Sequence, residues 1–170
     1  NVAATYARTA GETYAGRPYT ISATLSPAGV LGNYNITYNT ADFLIIRLVQ
    51  TITVWVSAPA KASENTSFTV VSTAASGLPV AITTSGVCTG SGNDTATITM
   101  NSGFGVCSIF YDQAGDANYE PATQIQNNVG ATQKPSITSA PNTIFSLGLP
   151  GTFAVTTTGN PATPMDITEN

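Results

Sequence analysis

The chain has 170 residues and a formal net charge of −4, and only 8% of its positions are Asp, Glu, Lys or Arg. An ordinary soluble domain carries roughly 25%. There is no histidine, which excludes a Ser-His-Asp triad, a Cys-His pair and a His-ligated metal, and five basic residues are too few for the phosphate-neutralising stripe that nucleic acid requires.

Thr and Ser stand where charge would be, with 28 and 14 residues. The hydrophobic fraction of 42% is close to that of ordinary domains, so a core can form. Thr, Val, Ile, Tyr and Phe favour strands, while strong helix formers are scarce. The expectation is an all-β fold. No apolar run approaches the ~18 residues of a membrane-spanning helix, so no membrane insertion is expected. The first residues, Asn1-Val2-Ala3-Ala4, lack the charged and apolar regions of a signal peptide. With no initiating Met, the chain reads as a processed product or a piece of something longer.

In chain order, short alternating runs are separated by turns. Tyr19 to Leu25 alternates and stops at Ser26-Pro27-Ala28-Gly29. Tyr34 to Tyr38 puts Tyr34, Ile36 and Tyr38 on one face. Phe43 to Arg47 is nearly continuous, as in a strand covered on both sides. Thr51 to Val56 sets Ile52, Val54 and Val56 against Trp55 on the other face. Ser67 to Val71 and Val80 to Thr83 follow. Thr95 to Met100 turns Ala96, Ile98 and Met100 one way. Val106 to Tyr111 does the same with Cys107, Ile109 and Tyr111. Gln124 to Val129 closes the set. Strands of this length and spacing point to sandwiches or barrels. No helical periodicity extends beyond one turn.

Cys88 and Cys107 flank two segments that read as facing strands, so a disulfide is expected. Such a bridge adds about 3 kcal/mol in the chain-entropy model and implies an oxidising compartment. Two buried free thiols are the alternative.

The middle of the chain resembles the bacterial immunoglobulin-like repeats of large secreted and cell-surface proteins. The residues that carry this are Gln50-Thr51-Ile52-Thr53, Ser57-Ala58-Pro59-Ala60, Ser76-Gly77-Leu78-Pro79-Val80 and Gln113-Ala114-Gly115-Asp116-Ala117-Asn118-Tyr119. Arg8 to Glu12, Leu25 to Gly29 and Asn33 to Tyr38 are similar to the later half of an MBG-type repeat. Pro135 to Ala140, Gly151 to Thr156 and Gly159 to Pro164 are similar to the opening half of a further immunoglobulin domain. The resemblance implies three segments: 1–49 as part of one repeat, 50–133 as a complete sandwich, and 134–170 as the start of another. It also implies a bacterial extracellular or cell-surface location.

The expected function is that of a structural module that extends or assembles a surface fibre through β-edge contacts. Its partners would be neighbouring repeats, or further copies joined head-to-tail by strand complementation. An adhesin module that binds a glycan or protein receptor is one alternative. A passive spacer in a large surface enzyme is another. Trp55, Phe43, Ile45, Phe145 and Phe153 are candidates for such interfaces.

No catalytic residue, cofactor or metal is assigned. Asp112, Asp116, Asn118 and Glu120 offer hard oxygens of the kind calcium accepts. Gly115, Asp116 and Asn118 are also turn-forming, with Tyr119 as an anchor, and the turn is the preferred reading. Glu64 with Asp94 has no spacing logic for glycoside hydrolysis. Asn35, Asn65 and Asn93 open sequons that a Thr-rich chain produces by chance.

Overall fold

The computed structural model describes residues 1–144, 146–148 and 150–160. Its strands are β1 (Ala3–Arg8), β2 (Tyr19–Ser26), β3 (Ala41–Phe43), β4 (Ile52–Val56), β5 (Lys61–Ser63), β6 (Ser67–Ala74), β7 (Ala81–Gly86), β8 (Cys88–Thr89), β9 (Gly92–Asn93), β10 (Thr95–Met100), β11 (Val106–Asp112), β12 (Ile125–Ile137) and β13 (Thr157–Asn160). A short 3-10 helix, Ala28–Asn33, is the only helical element among the described residues. The all-β expectation holds.

The chain divides into two compact units. The first is Asn1–Gln50 with Ala114–Ala122, and the second is Thr51–Gln113 with Thr123–Asn170. The sequence reading places three segments instead, divided at 49/50 and 133/134. At 133/134 the chain does not break, because β12 runs on through Lys134 and Pro135. Proline lacks an N–H and is tolerated in a sheet where the ladder is irregular. The pairing of β12 with β13 shifts register between Gln133 and Ser136, around that residue.

In the first unit, β1, β2 and β3 form an antiparallel three-stranded sheet. β2 alternates as expected. Tyr19 is buried, Ile21, Ala23 and Leu25 are half-buried, and the residues between them are exposed. Tyr19 is the single buried apolar side chain of this unit among the described residues. Its hydroxyl accepts from the Thr13 N–H at 2.9 Å and donates to the Thr13 carbonyl at 2.8 Å. The loop that closes over the ring requires Gly11, whose φ is +139° and where a Cβ would lie 2.1 Å from the Tyr19 ring.

Two expected strands are absent here. Tyr34 to Tyr38 follows the 3-10 helix without forming a ladder, and strand pairing near Phe43 ends at Phe43 itself. The apolar run beyond it receives no two-sided cover: Leu44 and Ile46 are exposed.

The second unit is sandwich-like. One sheet has the order β4-β6-β10-β8, and the other has β13-β12-β11-β7-β9, with β5 joined parallel to β12. Alternation builds the core directly. Val70, Ser72 and Ala74 of β6 and Ala96, Ile98 and Met100 of β10 turn inward. From the opposing sheet come Ile82, Cys107, Ile109, Tyr111 and Val129. The Cys88–Cys107 disulfide links β8 to β11, and hence one sheet to the other, across a Cα–Cα distance of 5.3 Å. Tyr111 is fully buried, and its hydroxyl donates to Asn127 Oδ1 at 3.1 Å. Burial pushes its pKa above the ordinary value of 10.0.

Candidate interaction surfaces

Asp94, Asp112, Asp116 and Glu120 are engaged in structural roles. Asp94 has a left-handed backbone, φ +61°. Its Oδ1 accepts from the Val80 N–H at 2.8 Å, its N–H donates to the Val80 carbonyl, and its carbonyl accepts from the Ser72 N–H. It braces the approach to β10.

Asp116 Oδ1 accepts from the N–H groups of Asn118 at 2.7 Å and Tyr119 at 2.8 Å, an Asx-type turn. Asp112 belongs to the second unit, where its Oδ1 accepts from Gln124 Nε2 at 2.7 Å. Glu120 holds Arg47 through two hydrogen bonds, 2.6 and 3.0 Å. Among the described residues, no group of three or more His, Cys, Asp or Glu comes together around a metal-sized space.

The first unit uses its cations in place of apolar packing. Arg17 stacks over the Tyr14 ring at 3.6 Å, and Arg47 lies over the same ring at 4.5 Å. Arg8 lies over Phe43 at 4.9 Å and Tyr19 at 5.3 Å, and it also pairs with Glu12. Cation–π contacts of this kind are worth about 0.5–1 kcal/mol where exposed. Arg47 also ties two distant stretches of chain, because the segment it pairs with bridges Leu48 to Tyr119. Sequence reasoning missed this cluster. The partners lie up to 73 positions apart, and no local pattern marks them.

Of the expected interface residues, Trp55, Phe43 and Phe153 are exposed and Ile45 is half-buried. Phe145 lies outside the described residues. The structure adds Leu44, Ile46, Leu48 and Val49, all exposed, with Val49 at 85%. Their signal was the apolar run itself, which reads equally well as a covered strand.

In the same unit, Val2, Leu25, Val30, Leu31, Tyr34 and Ile36 help line an open cavity of about 540 Å³. β1 pairs only with β2, and its residues Ala3 to Ala7 are all exposed and uncharged. It is an edge strand whose one charged residue, Arg8, stands at its end, so Ala3 to Ala7 lack the charges that usually guard an edge. In the second unit, β4 is an edge with no charged residue, though an irregularity between Val54 and Val56 interrupts its ladder.

No family model, curated protein or solved structure matches the chain. No helix among the described residues is long and apolar enough to cross a membrane.

Proposed function

We propose that the chain is a structural module of a bacterial extracellular repeat protein, built from tandem immunoglobulin-like sandwiches, and that it extends or assembles a fibre through β-edge contacts. The observation that carries this reading is the first unit's sheet. It has one buried apolar side chain, an open cavity beside β2 lined by apolar residues together with Asn1 and Asn35, and an edge at β1 whose residues Ala3 to Ala7 are uncharged. Three strands need a covered hydrophobic face to be stable in water. A further β segment added to β1 would supply both hydrogen-bond partners and apolar cover.

The disulfide supports an oxidising location outside the cytosol. The second unit, with its closed core, would serve as the rigid spacer between such joints. If the segment that completes one copy comes from the next, the contact is heterologous, and repetition yields an open filament.

Light scattering on the whole chain over a wide concentration range tests this. The expected result is a mass that rises with concentration. Ala4→Lys combined with Tyr6→Lys on β1 should suppress that rise. A chain that stays monomeric throughout, with no fibres by electron microscopy, contradicts the reading.

A further inference from the structure

The four strands β4, β6, β10 and β8 contain no Asp, Glu, Lys or Arg. Their inward positions fill the core. Their outward positions carry Thr53, Thr69, Thr73, Thr89, Thr95 and Thr97, all exposed. Register arranges these in rows: Thr53 stands opposite Thr73, Thr69 opposite Thr97, and Thr99 is flanked by Ser67 and Thr89. Adjacent strands lie ~4.8 Å apart and alternate residues along a strand ~6.7 Å apart, so the hydroxyls form a regular grid. β-Branching restricts each χ1, which fixes where hydroxyl and methyl point.

Trp55 shares this face. Its Nε1–H donates to Thr73 Oγ1 at 2.9 Å, while the side chain is 70% exposed. The N–H is already used, so the indole offers its ring face. The hydroxyls of Thr53, Thr69, Thr95 and Thr97 have no hydrogen-bond partner among the described residues.

The outer face of the opposing sheet is built differently. There Gln126 Nε2 donates to Asn128 Oδ1 at 2.9 Å, Ser108 Oγ donates to the same oxygen at 2.9 Å, and Gln124 is held by Asp112. That face pairs several of its amides with one another and carries a charge at Asp112. On the Thr face Thr73, Thr89, Thr99 and Ser67 are engaged with neighbouring side chains, the four hydroxyls of Thr53, Thr69, Thr95 and Thr97 are left open among the described residues, and the strands carry no charge.

We propose that the Thr face is a platform for a neutral polysaccharide. Trp55 stacks on the apolar face of one sugar ring, and the Thr rows exchange hydrogen bonds with the hydroxyls of the rings beside it. Both sides suit each other chemically. Each hydroxyl can donate and accept, so a hydroxyl grid and a hydroxyl-rich chain can pair in either sense. A charged ligand gains nothing from a face with no countercharge. This site lies on the second unit and does not depend on assembly through β1.

The test is retention of the whole chain on insoluble cellulose, chitin and a β-1,3-glucan, measured by depletion from solution at low and at high NaCl. The expected result is retention on at least one of them, unchanged by salt. Trp55→Ala should weaken apparent affinity about tenfold or more, the usual consequence of losing an aromatic anchor. Thr69→Lys with Thr97→Lys, in the middle of the grid, should also weaken it. Ser85→Lys, the same change on the opposite outer face, should leave retention intact. Circular dichroism on each variant identifies any that fails to fold, and Trp55→Phe repeats the test with the stacking ring kept and the indole N–H removed. Absence of retention on all three polysaccharides overturns the proposal. So does retention that salt abolishes, or retention that the folded Trp55→Ala and double-Lys variants keep in full.

Discussion

The two units of this chain solve the same problem by different means. In the second unit, inward-facing residues from two sheets close a core whose centre is wholly buried: Val70, Ile98, Met100, Ile109, Tyr111 and Val129 are all at 0% exposure. The first unit has Tyr19. Arg8 lies over its ring, and elsewhere the unit has guanidinium groups over Tyr14 and Phe43, the Arg8–Glu12 and Arg47–Glu120 ion pairs, and half-buried apolar residues on one sheet face. A unit closed on itself suits the spacer role we propose, and a unit left open suits the proposed joint. The contrast carries the functional reading, and each prediction below bears on it.

The largest effects belong to the closed core. Ile98→Ala or Ile109→Ala should destabilise the second unit by about 2–5 kcal/mol, the range for emptying a well-packed site. Ile21→Ala, on the half-buried face of the first unit, should cost under about 1 kcal/mol because less apolar area is lost to water. Denaturant unfolding of the variants measures both. Similar costs at the two places would erase the distinction.

Reduction of Cys88–Cys107 comes next. The bridge spans 19 positions and joins the two sheets. Its loss should remove about 3 kcal/mol, lowering the second unit's melting transition while leaving the first unit's transition in place. Calorimetry with and without reductant reads this.

High pH gives a third separation. The folded Tyr111 has a raised pKa because burial disfavours the phenolate. The unfolded chain therefore ionises this tyrosine first, from about pH 10 upward. The stability that the buried neutral tyrosine contributes is complete below that pH and is lost as pH rises through the folded pKa. Melting temperature between pH 8 and 11.5 should fall at the upper end for the second unit, and Tyr111→Phe should flatten the fall.

Smaller still are two changes of opposite sign. Arg47→Ala removes the pair with Glu120 and should weaken the first unit by up to about 1 kcal/mol, less in high salt. Ser72→Ala should stabilise the second unit by about 1 kcal/mol. The Ser72 hydroxyl is wholly buried with no hydrogen-bond partner among the described residues, and removing it relieves an uncompensated burial.

What the sequence disclosed follows the same contrast. β10 and β11 are legible because a sheet with one buried face imposes period two, and Ala96, Ile98, Met100 and Cys107, Ile109, Tyr111 obey it. Tyr34 to Tyr38 alternates just as cleanly and forms no strand. Alternation marks a preference for a pleated surface, and a partner strand has to be there to use it. The run after Phe43 misled in the same way: its apolar residues lack the covering that a continuous strand implies.

Pro135 read as a break. It is accommodated by a register shift that no composition rule marks. The corner at Asp116 was legible as a turn, since Asx chemistry is local. Its membership of the first unit was not, because Arg47 and Glu120 meet across 73 positions. The disulfide was legible through its flanking strands. The Thr face was visible only as composition until register put Thr53 beside Thr73 and Thr69 beside Thr97.

The most direct test of the central contrast is hydrogen–deuterium exchange on the whole chain, dilute and concentrated. In dilute solution, amides of β10 and β11 should exchange slowly while those of β1 to β3 exchange much faster, as expected of a region with few buried contacts. On concentration, protection should appear in β1, at Ala3 to Arg8, and leave β10 and β11 unchanged. If β1 to β3 are already as protected as β10 and β11 in the dilute monomer, the first unit is complete by itself and the account is wrong.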